Sequence, residues 1–157
     1  MRIAAAALAI AVLSCNTAAN VDGGWRVEVK TEGGFAGTGV GSIRIDARSA
    51  EASDPARRCR QSLPNDDETM LRKSIERANI SAWRAEYVRP ENRDGYADQI
   101  RYTLTVERAG ETRATSWHDD SAHLLPPDAR ALFDRAWKIR DMILQECRTA
   151  HGQTHTR

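Results

Sequence analysis

Ser116, His118, Asp119 and Asp120 put a hydroxyl, an imidazole and two carboxylates within five residues. These are the side-chain types of a nucleophile, its base and an orienting acid. Acyl transfer needs them to converge on one point, yet neighbouring strand positions face opposite ways, and no nucleophile elbow surrounds Ser116. The stretch therefore reads as a solvated strand-to-helix loop. An alternative chemistry uses His118, Asp120 and His123 as metal ligands, two imidazoles and a carboxylate. His151 and His155 fall in a polar tail, where ligands are poorly held. Gly37-x-Gly39-x-Gly41 has the spacing of a phosphate loop but lacks its lysine and its following helix, so it reads as a turn. No catalytic set remains. The chain is read as a non-enzyme with no cofactor, the His118–Asp120–His123 metal being the alternative.

The chain opens with Arg2 and an apolar run from Ile3 to Leu13. Eleven residues are too few to cross a bilayer, which takes roughly 20, but suit the apolar region of a signal peptide. The run ends in Val12-Leu13-Ser14-Cys15, which resembles a bacterial lipobox and predicts Cys15 as the lipidated first residue of the mature chain. Cleavage after Ala18 or Ala19 is the other reading and would release a soluble secreted protein. Of the three cysteines, Cys59 and Cys147 then remain as an even pair. In an oxidising compartment such a pair is expected to close a disulfide.

Removing residues 1–14 from 157 leaves 143, enough for one domain with a real core. The removed piece contains one of the 23 basic side chains, so the mature chain carries 22 basic and 22 acidic groups. That balance argues against nucleic acid as a partner, since phosphate binding needs a basic excess. Residues 15–24 are small and polar and read as a tether, 25–148 as a single domain and 149–157 as a disordered tail.

Trp25, Val27 and Val29 alternate with Arg26, Glu28 and Lys30, a half-buried strand. The glycine-dense turn Gly33–Gly41 leads to a second strand through Ile43 and Ile45, making a hairpin. Residues 47–66, polar and containing Pro55 and Pro64, read as a long loop pinned by Cys59. Asp66 or Asp67 caps a first helix carrying Leu71, Ile75 and Ala78. Ile100, Tyr102, Leu104 and Val106 mark a strand that turns at Ala109-Gly110 into a partner ending near Trp117. Pro126 and Pro127 open a second helix, with Leu132, Phe133, Ala136, Trp137, Arg140, Ile143, Leu144 and Cys147 along one stripe. The order ββαββα predicts an α+β domain: a four-stranded antiparallel sheet with two helices packed on one face.

Glu32-Gly33-Gly34-Phe35-Ala36-Gly37, directly after the first strand, is similar to the GGFAG segment of emfourin-like proteins. Asp98-Gln99-Ile100-Arg101-Tyr102-Thr103-Leu104-Thr105-Val106 resembles that family's D-x-F-x-Y-x-L-x-V strand. The stretch from Leu124-Leu125-Pro126-Pro127 to Leu132 resembles the start of its last helix, and Met70 to Ile75 its leucine-rich first helix. The resemblance runs over about residues 25–145. It implies a proteinaceous inhibitor of thermolysin-like (protealysin-type) zinc metallopeptidases, with Gly33, Gly34, Phe35, Ala36 and Gly37 on the binding surface. Phe35 would supply the bulky apolar group that such peptidases favour. The export signal and the cysteine pair depart from the family pattern and place the protein in the cell envelope, periplasmic or attached to the outer membrane, with the lipid as its only membrane contact. The alternative function is a non-catalytic envelope lipoprotein that serves as a structural or protein-binding module.

Overall fold

A computed structural model describes residues 24–34, 39–89 and 99–152. Cys15, the tether up to residue 23, Phe35, Ala36 and Gly37, and the end of the tail lie outside the described residues.

The domain is α+β. Its strands are β1 (Trp25–Gly33), β2 (Ser42–Asp46), β3 (Ala50–Asp54), β4 (Arg57–Gln61), β5 (Glu86–Tyr87), β6 (Ile100–Arg108) and β7 (Glu111–His118). Helix α1 (Asn65–Arg77) lies between β4 and β5, and α2 (Pro127–Gly152) follows β7. Two short 3-10 turns, Ile80–Ala82 and Asp119–Leu124, complete the described elements. The seven strands form one sheet in the order β4-β3-β2-β1-β6-β7-β5. All neighbours are antiparallel except β5 and β7.

The four expected strands are β1, β2, β6 and β7, and they pair as two hairpins joined through β1 and β6. The expected count of four is corrected to seven. Most of the difference lies in 47–66, which is not a long loop: it holds β3, β4 and the start of α1. Two aspartate turns build this extension. Asp46 Oδ1 accepts from the Arg48 and Ser49 amides, both at 2.9 Å. Asp54 Oδ1 accepts from Ala56 at 2.9 Å and Arg57 at 2.8 Å. An aspartate that binds amides two and three residues ahead reverses the chain without glycine. Ala50 and Ala52 lie opposite Ile45 and Ile43 in register. Their small side chains let α2 pass close over β3.

Alternation fixes the buried face. Trp25, Val27, Val29, Thr31, Ile43, Ile45, Ala50, Ala52, Cys59, Leu104, Val106, Thr115 and Trp117 are buried, while the intervening residues are half-buried or exposed, except Ser116, which is buried too. Fully buried Ile43 and Ile45 are each worth about 1.5–3 kcal/mol of transfer from water. Both helices lie on this face. Along α2, Phe133 meets Trp117 and Tyr102, Trp137 meets Tyr102, Arg140 reaches Ser53, and Cys147 bonds Cys59. The helix thus crosses the sheet from β7 to the edge strand β4. The disulfide is formed as the cysteine count predicts, with the two Cα atoms 6.4 Å apart.

Helix α1 starts at Asn65, not at a capping Asp66 or Asp67; Pro64 precedes it and gives no side-chain cap. Asp66, Asp67 and Glu68 instead sit in the first turn, where negative charge interacts favourably with the positive end of the helix dipole. Its far end is closed by a side chain from the sheet. Arg108 Nη1 donates to the carbonyls of Ile75 at 2.7 Å and of Glu76 and Ala78 at 3.1 Å. Helix α2 begins at Pro127, where a missing N–H costs nothing. It continues past Arg148 to Gly152, so the first residues of the expected disordered tail are helical. No helix among the described residues is long and apolar enough to cross a membrane.

Candidate functional site

Three connections emerge at one end of the sheet. Strand β1 ends at Gly33 opposite Ile100, the first residue of β6. Strand β7 ends at His118 opposite Arg101. The glycine loop, Gln99 and the Asp119–Leu124 turn therefore share that end. The Gly34 amide donates to the Gln99 carbonyl at 3.1 Å, and Gln99 Nε2 donates to Asp120 Oδ2 at 3.4 Å.

The glycine loop is closed by Thr31, the last buried position of β1. Its hydroxyl donates to the Gly41 carbonyl at 2.7 Å and accepts from the Val40 amide at 2.8 Å and the Gly41 amide at 2.9 Å. One donor and two acceptor sites are the full capacity of a hydroxyl. The Gly39 amide also donates to the Gly33 carbonyl at 2.8 Å, tying entry to exit. Two glycines are required by this closure. Gly39 has φ +65°, and a Cβ there would fall on Thr31 Oγ1 and its carbonyl. Gly41 has φ +118°, and a Cβ would overlap the Ser53 carbonyl and lie 2.8 Å from Arg140 Nη2.

Beside the exit stands an aromatic group. Tyr102 stacks on Trp117 with centroids 5.6 Å apart and meets Phe133 and Trp137 edge-on at 5.5 and 5.8 Å. Arg140 lies over the Trp137 ring, its guanidinium carbon 4.5 Å from the centroid. Burial pushes the Tyr102 hydroxyl pKa above its ordinary value; the Asp119 charge adds to this and Arg140 opposes it. An open groove of about 430 Å³ next to Arg140 is lined by Asp54, Arg140, Asp141, Leu144, Gln145 and Arg148. Two acids and two bases leave it no preference for a charged ligand.

Gly33 and Gly34 stand at the loop's entry. Phe35, Ala36 and Gly37 lie outside the described residues. The residues read for hydrolytic chemistry serve local structure. Ser116 Oγ is buried and accepts from Arg101 Nη2 at 2.9 Å. Asp119 Oδ1 accepts from the Asp120 amide at 3.0 Å, and Asp120 Oδ1 from Ser121 Oγ at 2.7 Å. Among the described residues no three His, Cys, Asp or Glu side chains are grouped to hold a metal. His118, Asp120 and His123 are thus not brought together as a ligand set.

No family model, curated protein or solved structure matches this chain.

Thr31 carries no mark in the sequence, and Arg140 is read there only as a member of the α2 stripe. The available signals were a threonine in register with Trp25, Val27 and Val29, and an arginine on the apolar stripe of α2.

Proposed function

We propose that the mature chain is an exported inhibitor of a thermolysin-like zinc metallopeptidase, tethered to the envelope by a lipid on Cys15. The Gly33–Gly41 loop is the segment that enters the peptidase cleft. The observation that carries this reading is how the loop is built. Its two ends are tied to each other and to Thr31, at the end of the central strand β1, by bonds that use all the hydrogen-bonding capacity of one buried hydroxyl. A loop whose ends are fixed before binding loses less conformational entropy on association than one whose ends are free. The likeness of Glu32 to Gly37 to the emfourin segment supports the same reading.

Phe35 is the apolar anchor on that loop. Truncating an interface anchor costs about 2 kcal/mol or more, close to a thirtyfold weaker complex. Phe35→Ala should therefore weaken inhibition to that degree while the melting temperature stays nearly unchanged. A variant that melts much earlier, or that inhibits at full strength, rejects Phe35 as the anchor.

A further inference from the structure

Arg140 is the only ionisable side chain buried among the described residues, apart from the disulfide cysteine. It occupies a position on α2 whose neighbours on the stripe, Ala136, Ile139 and Ile143, are buried and apolar. Moving a guanidinium out of water is unfavourable unless its charge and donors are met. Its one carboxylate partner, Asp141 at 2.9 Å, is itself 63% exposed and so a weak counterion. The remaining compensation comes from the Trp137 face and from two backbone carbonyls. Nε donates to Ser53 at 3.1 Å, and Nη2 donates to Val40.

Those contacts complete an accounting at the loop exit. The Val40 amide, the Gly41 amide and the Gly41 carbonyl are all held by Thr31. The Val40 carbonyl is held by Arg140. Every backbone polar group of both residues is thus bound to one of two side chains, one from β1 and one from α2. Reaching carbonyls on two separate segments calls for the planar fork of arginine; a lysine ammonium is a point donor on a flexible stem.

We propose that Arg140 is a positioning residue for the exit of the glycine loop, a brace that fixes the Val40 carbonyl to α2 and so holds Val40 and Gly41 in place against the sheet. The consequence for partner affinity rests on the inhibitor reading; the brace itself does not.

The test is amide hydrogen exchange by NMR on the full mature chain, comparing wild type with Arg140→Met and Arg140→Lys. Arg140→Met keeps the apolar stem and removes the fork. Val40 and Gly41 should exchange about tenfold faster, as expected when a hydrogen bond to a charged donor is lost from a local opening unit. Ile43 and Ile45 in the adjoining strand should be unchanged, and Arg140→Lys should fall between. Equal acceleration at all four positions, or none at Val40 and Gly41, overturns the proposal. Should Arg140→Met fail to fold, the wild-type Arg140 Nη2 protons decide, since Nη2 is the donor to the Val40 carbonyl: a resolved, slowly exchanging signal supports the brace, and a solvent-averaged one overturns it. Inhibition of thermolysin, read on the same samples, separates the two ideas. A local exchange response without any wild-type inhibition leaves the brace and removes the inhibitor reading. Wild-type inhibition without the exchange response does the reverse.

Discussion

Thr31 and Gly41 exchange a pair of hydrogen bonds across ten residues of chain: the threonine hydroxyl donates to the glycine carbonyl at 2.7 Å and accepts from its amide at 2.9 Å. Thr31→Val keeps the shape and removes the hydroxyl, leaving that carbonyl and the Val40 and Gly41 amides unpaired. Unsatisfied groups of this kind cost about 1–3 kcal/mol. Chemical denaturation should show a loss in that range for Thr31→Val and a clearly smaller one for Thr31→Ser. Equal losses would place the effect in packing, not in the hydroxyl.

The Cys59–Cys147 bond closes a sequence separation of 88 residues and fastens edge strand β4 to α2. A bridge of that span stabilises by about 2–4 kcal/mol, chiefly by restricting the unfolded chain. The Cys59→Ala, Cys147→Ala double variant should lose that amount in denaturant titration. Thiol titration of the unfolded, unreduced mature chain should find neither cysteine free. Two free thiols would contradict the bridge.

Asp54 holds the β3–β4 turn and sits within ion-pair reach of Arg57 at 3.4 Å and Arg148 at 3.7 Å. Partial desolvation pushes its carboxyl up, but the Ala56 and Arg57 amides and the charges of Arg57 and Arg148 outweigh it and hold the pKa below the ordinary 3.8. A depressed folded pKa gives stability that is fully present above the unfolded value and is lost as pH falls through the folded one. Asp54→Asn should cost about 1 kcal/mol near neutral pH, given that both arginines are partly exposed. The gap to wild type should close as pH drops below about 4. A gap that stays constant across that range would rule out the carboxylate charge as its source.

How much of this was legible in the sequence depended on whether a residue's neighbours along the chain or across the fold decide its state. Ile100 to Val106 and the α2 stripe from Leu132 to Cys147 repeat at the period of their element, so both were read correctly. Strands β3 and β4 were not, because Ala-Glu-Ala-Ser-Asp and Arg-Arg-Cys-Arg-Gln lack the β-branched and aromatic residues that mark strands. Ala50 and Ala52 are in a sheet because α2 needs room above them, and β4 is arginine-rich because it is an edge. At the site, the glycines announced a turn. The roles of Thr31 and Arg140 depend on partners 10 and 100 residues away, which no local pattern encodes.

Membrane attachment is predicted to depend on Cys15. Acyl chains on the mature N-terminus should carry the protein into the membrane fraction, with stable anchoring needing more than one chain. Cys15→Ala should change both the mature mass and the fractionation. If neither changes, Cys15 is not lipidated.

The inhibitor reading is tested most directly by titrating the purified mature chain into a fixed amount of an active thermolysin-like zinc metallopeptidase and following hydrolysis of a peptide substrate. Activity is predicted to fall in proportion to added protein and to vanish near one equivalent. Undiminished activity at large molar excess, across several enzymes of that class, would contradict it.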